Sequence, residues 1–407
     1  MVEIVTVLFV LELSLFLFVD WFKYNTLYTP VFFLGVPFAV VLLFAVSLGP
    51  LFGFLPLTVD AVIVWCIGIL IFWFSGALLT YATVNNRLIL PFTNISTCRS
   101  VTKTIEVVSW LFISILFCSF LNSFARHGTI GGEAFSADFA SHGIAAHCLS
   151  LMKYNAAYLF VAEDGRKKQR NIIVIVTFVF LLLYNVKGAI ILTALVSLFA
   201  KFILYQSKLD LKKIMTIMLL GIIVFVLSYG IALGTINYKF LTFHFLAYVI
   251  AGIVGLSEYL RQGLPVDFDF LHIIQPMKNI YNVLMGGGVV SQISDFWVTT
   301  NVSYAKQSNV ITFFGAIYIY AGIIKGLIFT SFFALASYLL FIITIVKRRL
   351  HYLIVYLFIG SSLMLGWFDF YFNNLFYYEV VLYVLFVVFV SKIFSFISLW
   401  VNTKKLV

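Results

Sequence analysis

Long apolar segments separated by short polar connections make up almost the whole chain. Many of these segments approach the roughly 20 residues that a helix needs to cross a bilayer. Because lipid offers backbone groups no hydrogen-bond partner, helices suit such segments, whereas a membrane β-barrel would alternate polar and apolar residues. The pattern predicts about eleven membrane-spanning helices, at residues 4–19, 31–46, 61–82, 107–121, 144–161, 172–184, 189–204, 214–233, 316–346, 352–367 and 380–401.

The composition agrees with a membrane protein. Hydrophobic residues make up 63% of the 407 residues and charged residues only 10%, where an ordinary soluble domain carries about 25%. The formal net charge of +10 would suggest nucleic acid in a soluble chain, but here the basic residues cluster between apolar segments. The expected fold class is an all-α polytopic membrane protein, and nucleic acid is not an expected partner.

The basic connections predict the orientation. They lie at 87–103, 166–170, 208–213, 347–349 and 404–405, all on one side if there are eleven spans. The positive-inside rule makes that side cytoplasmic. The long connection 234–315 then lies outside, as part of a single membrane domain covering residues 1–407. Its apolar stretch 240–256 is expected to be interfacial or re-entrant, because a crossing would move the basic residues 347–349 outside.

Charged groups in or beside a membrane are costly and therefore mark candidate sites. Lys153 lies nine residues into a predicted span. Lys187 lies in the tight hairpin 185–188, on the side opposite the basic connections. A positive charge there goes against the insertion rule, and this favours an anionic ligand as its partner.

The predicted outer loops bring further polar groups to the same side. Arg126 lies in one of them, and Glu258, Arg261 and His272 lie in the long loop. Together with many tyrosines and tryptophans, whose rings stack on sugars, they predict a polar cavity roofed by the long loop. The expected ligand is a lipid-linked anion. The sequence contains no phosphate-binding glycine loop with its Lys-Ser/Thr and no HExxH metal motif.

Three stretches resemble the oligosaccharide repeat-unit polymerase family, the Wzy-type O-antigen polymerases. They are GIAAH at 143–147, the hairpin YNVKG at 184–188, and SNVITFFG at 308–315 followed by Tyr318 and Gly322. The second is similar to a Ser-Arg-Gly-like turn, with Lys187 in place of the arginine and without its bidentate fork. The third is similar to an Asn-x-x-Thr segment. The resemblance implies substrate-binding roles for His147, Asn309, Thr312 and Tyr318.

The resemblance implies a glycosyltransferase at the periplasmic face of the bacterial inner membrane, with no cofactor and no metal. It would join polyprenyl-diphosphate-linked oligosaccharides by transferring the growing chain to the incoming repeat unit. Membrane lipids and a chain-length regulator protein are the implied partners. His272 or Glu258 would serve as general base. Four cations would stabilise the leaving diphosphate, Lys187 and Arg261 first and Arg126 and Lys153 second.

Three other classes stay open at this point. A lipid-linked oligosaccharide flippase would have twelve or more spans in two similar halves, whereas this chain has an 82-residue connection at 234–315. An O-antigen ligase resembles its relatives around a long-loop histidine soon followed by a polar residue, but Ile273 follows His272. A transferase that uses polyprenyl-phosphate sugars typically has paired acids in its first outer loop, where this chain offers only Asp60.

Overall fold

The computed structural model describes residues 1–83, 92, 94–128, 130, 133–140, 143–184, 187–205, 238–289, 299–304 and 306–404. Apolar runs fold into helices along most of this part of the chain. The helices are α1 (Val2–Tyr24), α2 (Pro30–Ser47), α3 (Val59–Thr83), α4 (Arg99–His127), α5 (Glu133–Ala140), α6 (Gly143–Val161), α7 (Lys167–Leu183), α8 (Lys187–Leu204), α9 (Tyr238–Arg261), α10 (Gln275–Leu284), α11 (Phe313–Lys347), α12 (Leu350–Met364) and α13 (Phe376–Lys404).

Eight helices in the described ranges are long and apolar enough to cross a membrane: α1, α2, α3, α4, α9, α11, α12 and α13. The shorter or less apolar helices α6, α7 and α8 occupy three further predicted spans. The predicted span 214–233 lies outside the described residues. The protein is therefore an all-α, multi-pass membrane protein, as predicted, and the number of spans stays a prediction.

Contacts within the chain divide it into two compact units. Unit 1 contains Met1–Pro91, Ser207–Leu339 and Ser362–Asn373. Unit 2 contains Phe92–Gln206, Leu340–Ser361 and Asn374–Val407. Each unit has buried aromatic side chains and satisfied polar groups of its own.

Unit 1 packs α1, α2 and α3 around aromatic rings. The rings of Phe38 and Trp65 stack with centroids 3.4 Å apart. Asp20 is almost fully buried, and its carboxylate accepts hydrogen bonds from Trp73 Nε1 at 3.0 Å and from the Tyr338 hydroxyl at 3.2 Å. Because an unpaired buried carboxylate is costly, these donors fix α1 against α3 and α11.

Helix α9 contacts connecting segments along its whole length. Phe243, near its start, stacks on Phe54 with centroids 4.9 Å apart, and Arg261, at its end, donates to the Pro56 carbonyl. In the middle, a β-carbon at Gly252 would lie 2.5 Å from the Trp367 carbonyl oxygen. Only glycine permits this close approach. The interfacial or re-entrant placement of this stretch stays a prediction, because α9 also has the length and apolarity of a span.

Helix α11 is broken at Gly322. Its φ of 66° and ψ of −163° interrupt the helix, and the freed carbonyls of Ile319 and Tyr320 accept the backbone N–H groups of Asp267 and Asp269. The unusual length of this segment thus comes from two helical pieces. The second piece has the length of one span.

Unit 2 packs α4, α6 and α13 through buried polar side chains on apolar helices. The Asn155 side-chain oxygen on α6 accepts a hydrogen bond of 2.8 Å from the Tyr383 hydroxyl on α13. The hydroxyls of Thr102 on α4 and Tyr158 on α6 lie 3.1 Å apart. Such paired hydroxyl and amide groups join helices at little cost, because none is left without a partner.

Candidate functional site

A short β-hairpin in unit 1 forms one side of the candidate site. Strand β1 (Thr300–Ser303) pairs antiparallel with β2 (Lys306–Ser308). Val302 is fully buried, and its carbonyl accepts the Leu55 N–H at 3.0 Å, so the hairpin is held against the rest of the unit. This anchoring fixes the backbone that carries Lys306.

A cavity of about 160 Å³ lies between this hairpin and α9. Ten residues line it, and α9, β2, the segment after β2 and the turn after α12 all contribute. The polar and aromatic residues of the lining are His244, Tyr248, Lys306, Gln307, Ser308, Asn309 and Phe368. The space suits one sugar ring or one diphosphate group, since it corresponds to on the order of ten water molecules.

Lys306 is the cation of this cavity. Its Nζ lies 2.5 Å from His244 Nδ1. An ammonium group has only donors, so in this pair the neutral imidazole accepts through Nδ1 and carries its proton on Nε2. Burial lowers the pKa of the Lys306 ammonium. The amine is thus oriented by one hydrogen bond and has two further N–H donors for an anion.

Aromatic rings form the wall opposite the hairpin. Tyr248 and Phe368 stack with centroids 5.7 Å apart, and His244 meets Tyr248 edge to face at 5.0 Å. Asp369 follows Phe368, and burial raises the pKa of its carboxyl group to about 6. Within the described ranges, no group of three or more His, Cys, Asp or Glu side chains could hold a metal ion. The cavity offers a cation, amide and hydroxyl groups, and ring faces.

The residues taken from the Asn-x-x-Thr resemblance have different surroundings in unit 1. Asn309 lines the cavity. Thr312 is fully buried, and its hydroxyl accepts hydrogen bonds from Trp65 Nε1 at 2.9 Å and from the Gly315 N–H at 3.3 Å. It therefore caps the start of α11. Tyr318 is half-buried in the first piece of α11.

The other predicted residues of unit 1 lie near the end of α9 or just after it. Glu258 and Arg261 end the helix, and His272 lies in the connection that follows it. His272 is 9% exposed and lies against Tyr320, with ring centroids 4.2 Å apart. Burial lowers the pKa of His272, and the nearby Asp269 opposes this shift. Arg261 pairs with Glu258 at 2.5 Å and also donates to the Pro56 carbonyl, so both side chains of this pair have partners within the protein.

Four predicted residues belong to unit 2. Arg126 is 61% exposed and pairs with Asp138 at 3.1 Å. His147 Nδ1 lies 2.5 Å from Glu379 Oε1. The Lys153 ammonium lies 3.9 Å from the centroid of the Phe376 ring. Lys187 begins α8, and its side chain lies outside the described part of the structure.

Lys306, His244 and Tyr248 were not predicted as site residues. The polar run Lys306-Gln307-Ser308-Asn309 directly precedes the Asn-x-x-Thr segment and gives one signal in the sequence. The spacing of His244 and Tyr248, four residues apart on one helix, gives another, because such residues share a face. Neither signal shows that Lys306 and His244 face each other across the cavity.

The fold defines a multi-pass, all-α membrane protein in which the cavity is built from a long connection and a turn. The chain belongs to DUF6337, a family of unknown function, whose model matches residues 53–396. This range contains the cavity and every predicted site residue. No curated protein and no solved structure matches the chain.

Proposed function

We propose that the protein is a surface-polysaccharide polymerase that joins polyprenyl-diphosphate-linked oligosaccharide repeat units. The observation that carries this proposal is the Lys306–His244 pair in a cavity walled by Tyr248 and Phe368. A diphosphate needs a cation, and a sugar ring packs well on an aromatic face. The resemblance of residues 308–315 to the polymerase segment adds support, because Asn309 lines the same cavity.

In the proposed reaction, a hydroxyl of the incoming repeat unit attacks the anomeric carbon of the growing chain. A new carbon–oxygen bond forms, and the bond from that carbon to the lipid diphosphate breaks. The diphosphate leaves with the electron pair and is stabilised by the Lys306 ammonium. The hydroxyl proton passes to a general base, for which His272 and Glu258 are the proposed residues. The lowered pKa of His272 keeps its imidazole neutral and able to accept a proton.

The cavity is proposed to face the periplasm of a bacterial inner membrane, since the predicted orientation has the long connection opposite the basic connections. Polymerisation there requires no nucleotide sugar and no cofactor, since the lipid-linked donor is already activated. A chain-length regulator protein is the proposed protein partner. The predicted cations Lys187, Arg261, Arg126 and Lys153 remain proposals for the diphosphate, as do His147, Thr312 and Tyr318 for the substrate.

The test is polymerisation by the purified full-length protein in detergent, supplied only with a polyprenyl-diphosphate-linked repeat unit. We expect a ladder of products, and a loss of at least about a hundredfold in its rate of formation for Lys306→Ala. Lys278→Ala is the matched control, because it removes the same charge from the same connection outside the cavity. A protein that makes no ladder but moves the same lipid across liposomes would be a flippase instead.

A further inference from the structure

Lys153 is an unusual residue in unit 2 because its charge is buried between helices. The residue is 7% exposed. Its ammonium lies over the face of Phe376, and no described residue accepts a hydrogen bond from it. A ring face offsets part of the cost of burying a cation, but it leaves the three N–H donors without oxygen partners. Ionisable groups in such surroundings mark ligand or ion sites.

Glu379, whose charge acts on Lys153, does not accept a hydrogen bond from this ammonium in the described part of the structure. Glu379 on α13 is close enough for its charge to act on Lys153, but its Oε1 lies 2.5 Å from His147 Nδ1. The side chain of His147 is 52% exposed, whereas Lys153 is buried. The three groups therefore form a row from the surface to the interior of unit 2, with two cation-forming side chains and one carboxylate.

An apolar surface continues from this row along α13. Leu382 and Phe386 are exposed and lie three and seven residues after Glu379, so they share its helix face. Ile144 is also exposed, three residues before His147 on α6. In a membrane, such exposed apolar side chains meet lipid chains. A polar row at the start of an apolar surface matches the division of a lipid into headgroup and tail.

We propose that α6 and α13 form a binding site for the phosphate headgroup of a membrane lipid. The phosphate oxygens accept hydrogen bonds from the Lys153 ammonium and from Nε2 of His147, and Glu379 orients the imidazole through Nδ1. The lipid chain lies along Leu382 and Phe386. A phosphate headgroup fits this site, because its several charged oxygens can accept from both donors at once. This site belongs to unit 2, whereas the Lys306 cavity belongs to unit 1, and binding of a lipid to it is measured without polymerisation.

Native mass spectrometry of the purified full-length protein tests the site. The probes are undecaprenyl phosphate, phosphatidylglycerol, phosphatidylcholine and inorganic phosphate. We expect Lys153→Gln to weaken binding of undecaprenyl phosphate or phosphatidylglycerol by at least about tenfold, as expected for loss of a charged hydrogen bond. Whichever of these two lipids binds more tightly identifies the source of the phosphate. Lys201→Gln is the matched control, since Lys201 belongs to the same unit and its ammonium also lies over a ring, that of Phe160.

His147→Gln gives a second variant whose altered side chain is half exposed, so it keeps the test decisive if Lys153→Gln fails to fold. His147→Gln should weaken binding of the same lipid as Lys153→Gln does. Lys153→Arg keeps the positive charge and should still bind that lipid. Equal binding of the anionic lipids by wild type, Lys153→Gln and His147→Gln would overturn the proposal, as would binding of inorganic phosphate alone. Lys306→Ala should bind phosphatidylglycerol as wild type does, because that lipid is not a substrate of the proposed polymerase, so a failed polymerase proposal leaves this result interpretable.

Discussion

Lys306 in unit 1 is a half-buried cation and Lys153 in unit 2 is a buried one, and their surroundings differ. Lys306 lies on a β-hairpin, has a nitrogen acceptor in His244 and lines a cavity. Lys153 lies within a helix and has a ring face as its close neighbour. A cation held by one hydrogen bond beside open space suits a substrate that enters and leaves. A cation packed between helices suits a ligand that stays, such as a bound lipid.

The variant expected to separate the two units most strongly is Gly322→Ala, which should impair unit 1 and spare lipid binding by unit 2. A β-carbon there would lie 2.8 Å from Asp267 Cβ, at a positive φ that side chains disfavour. The strain should cost about 1–3 kcal/mol and release the connection that follows α9. Thermal unfolding should show a lower Tm together with loss of polymerisation, and lipid binding through Lys153 should persist. Gly326→Ala is the control, because its β-carbon would make only ordinary contacts; equal behaviour of the two variants would contradict this account.

The charge on Lys306 should set an alkaline limit to polymerisation. Burial lowers the pKa of this ammonium, so activity should fall as the pH rises through that lowered value. Lys306→Arg should move the fall to higher pH, because a guanidinium stays charged to a pH of about 12. A pH profile of ladder formation measures this. An alkaline limit that is identical in both proteins would exclude Lys306 as its origin.

A smaller effect is expected at the aromatic wall. Tyr248→Ala should raise KM by on the order of tenfold or less, because it removes a ring face and its stacking on Phe368. Tyr248→Phe keeps the ring and should behave nearly as wild type. Tyr281→Ala removes an exposed ring elsewhere in the same connection and serves as control. If Tyr248→Phe were as impaired as Tyr248→Ala, the hydroxyl and not the ring face would be the essential group.

The smallest effect is expected in the acid stability of unit 1. Burial lowers the pKa of His272 in the folded protein, so the unfolded chain takes up the proton first as the pH falls below the ordinary value of about 6.5. The stability from the neutral imidazole is present above that pH and is lost as the pH falls towards the folded pKa. The Tm of wild type should therefore fall more steeply between pH 7.5 and 5.5 than that of His272→Gln, as followed by thermal unfolding; parallel curves would refute this.

The sequence predicted the fold class and the candidate cation Lys153 because both depend on local apolarity. A charge that interrupts an apolar helix is visible in the sequence itself. Lys306 was not predicted, because a lysine in a polar connection is usually exposed. Its partial burial arises only when the hairpin packs on α9. The break at Gly322 was missed for a similar reason, since the groups that satisfy the freed carbonyls lie some fifty residues earlier in the chain.

The structural role of Thr312 also could not be predicted from the sequence. Its place in a polymerase-like segment predicted substrate binding, whereas its hydroxyl is engaged by Trp65 and by the start of α11. Trp65 lies in α3, so no local pattern could identify it as the donor. Asn309, three residues earlier, does line the cavity. Two residues of one motif thus have different surroundings, and only the folded chain distinguishes them.

The most direct measurement is a parallel assay of two variants, Lys306→Ala and Lys153→Gln, for both polymerisation rate and phosphatidylglycerol affinity. The account predicts that Lys306→Ala loses polymerisation by at least about a hundredfold and keeps its lipid affinity. Lys153→Gln should lose lipid affinity. Polymerisation by Lys306→Ala at the rate of wild type would contradict the central claim that this lysine stabilises the leaving diphosphate.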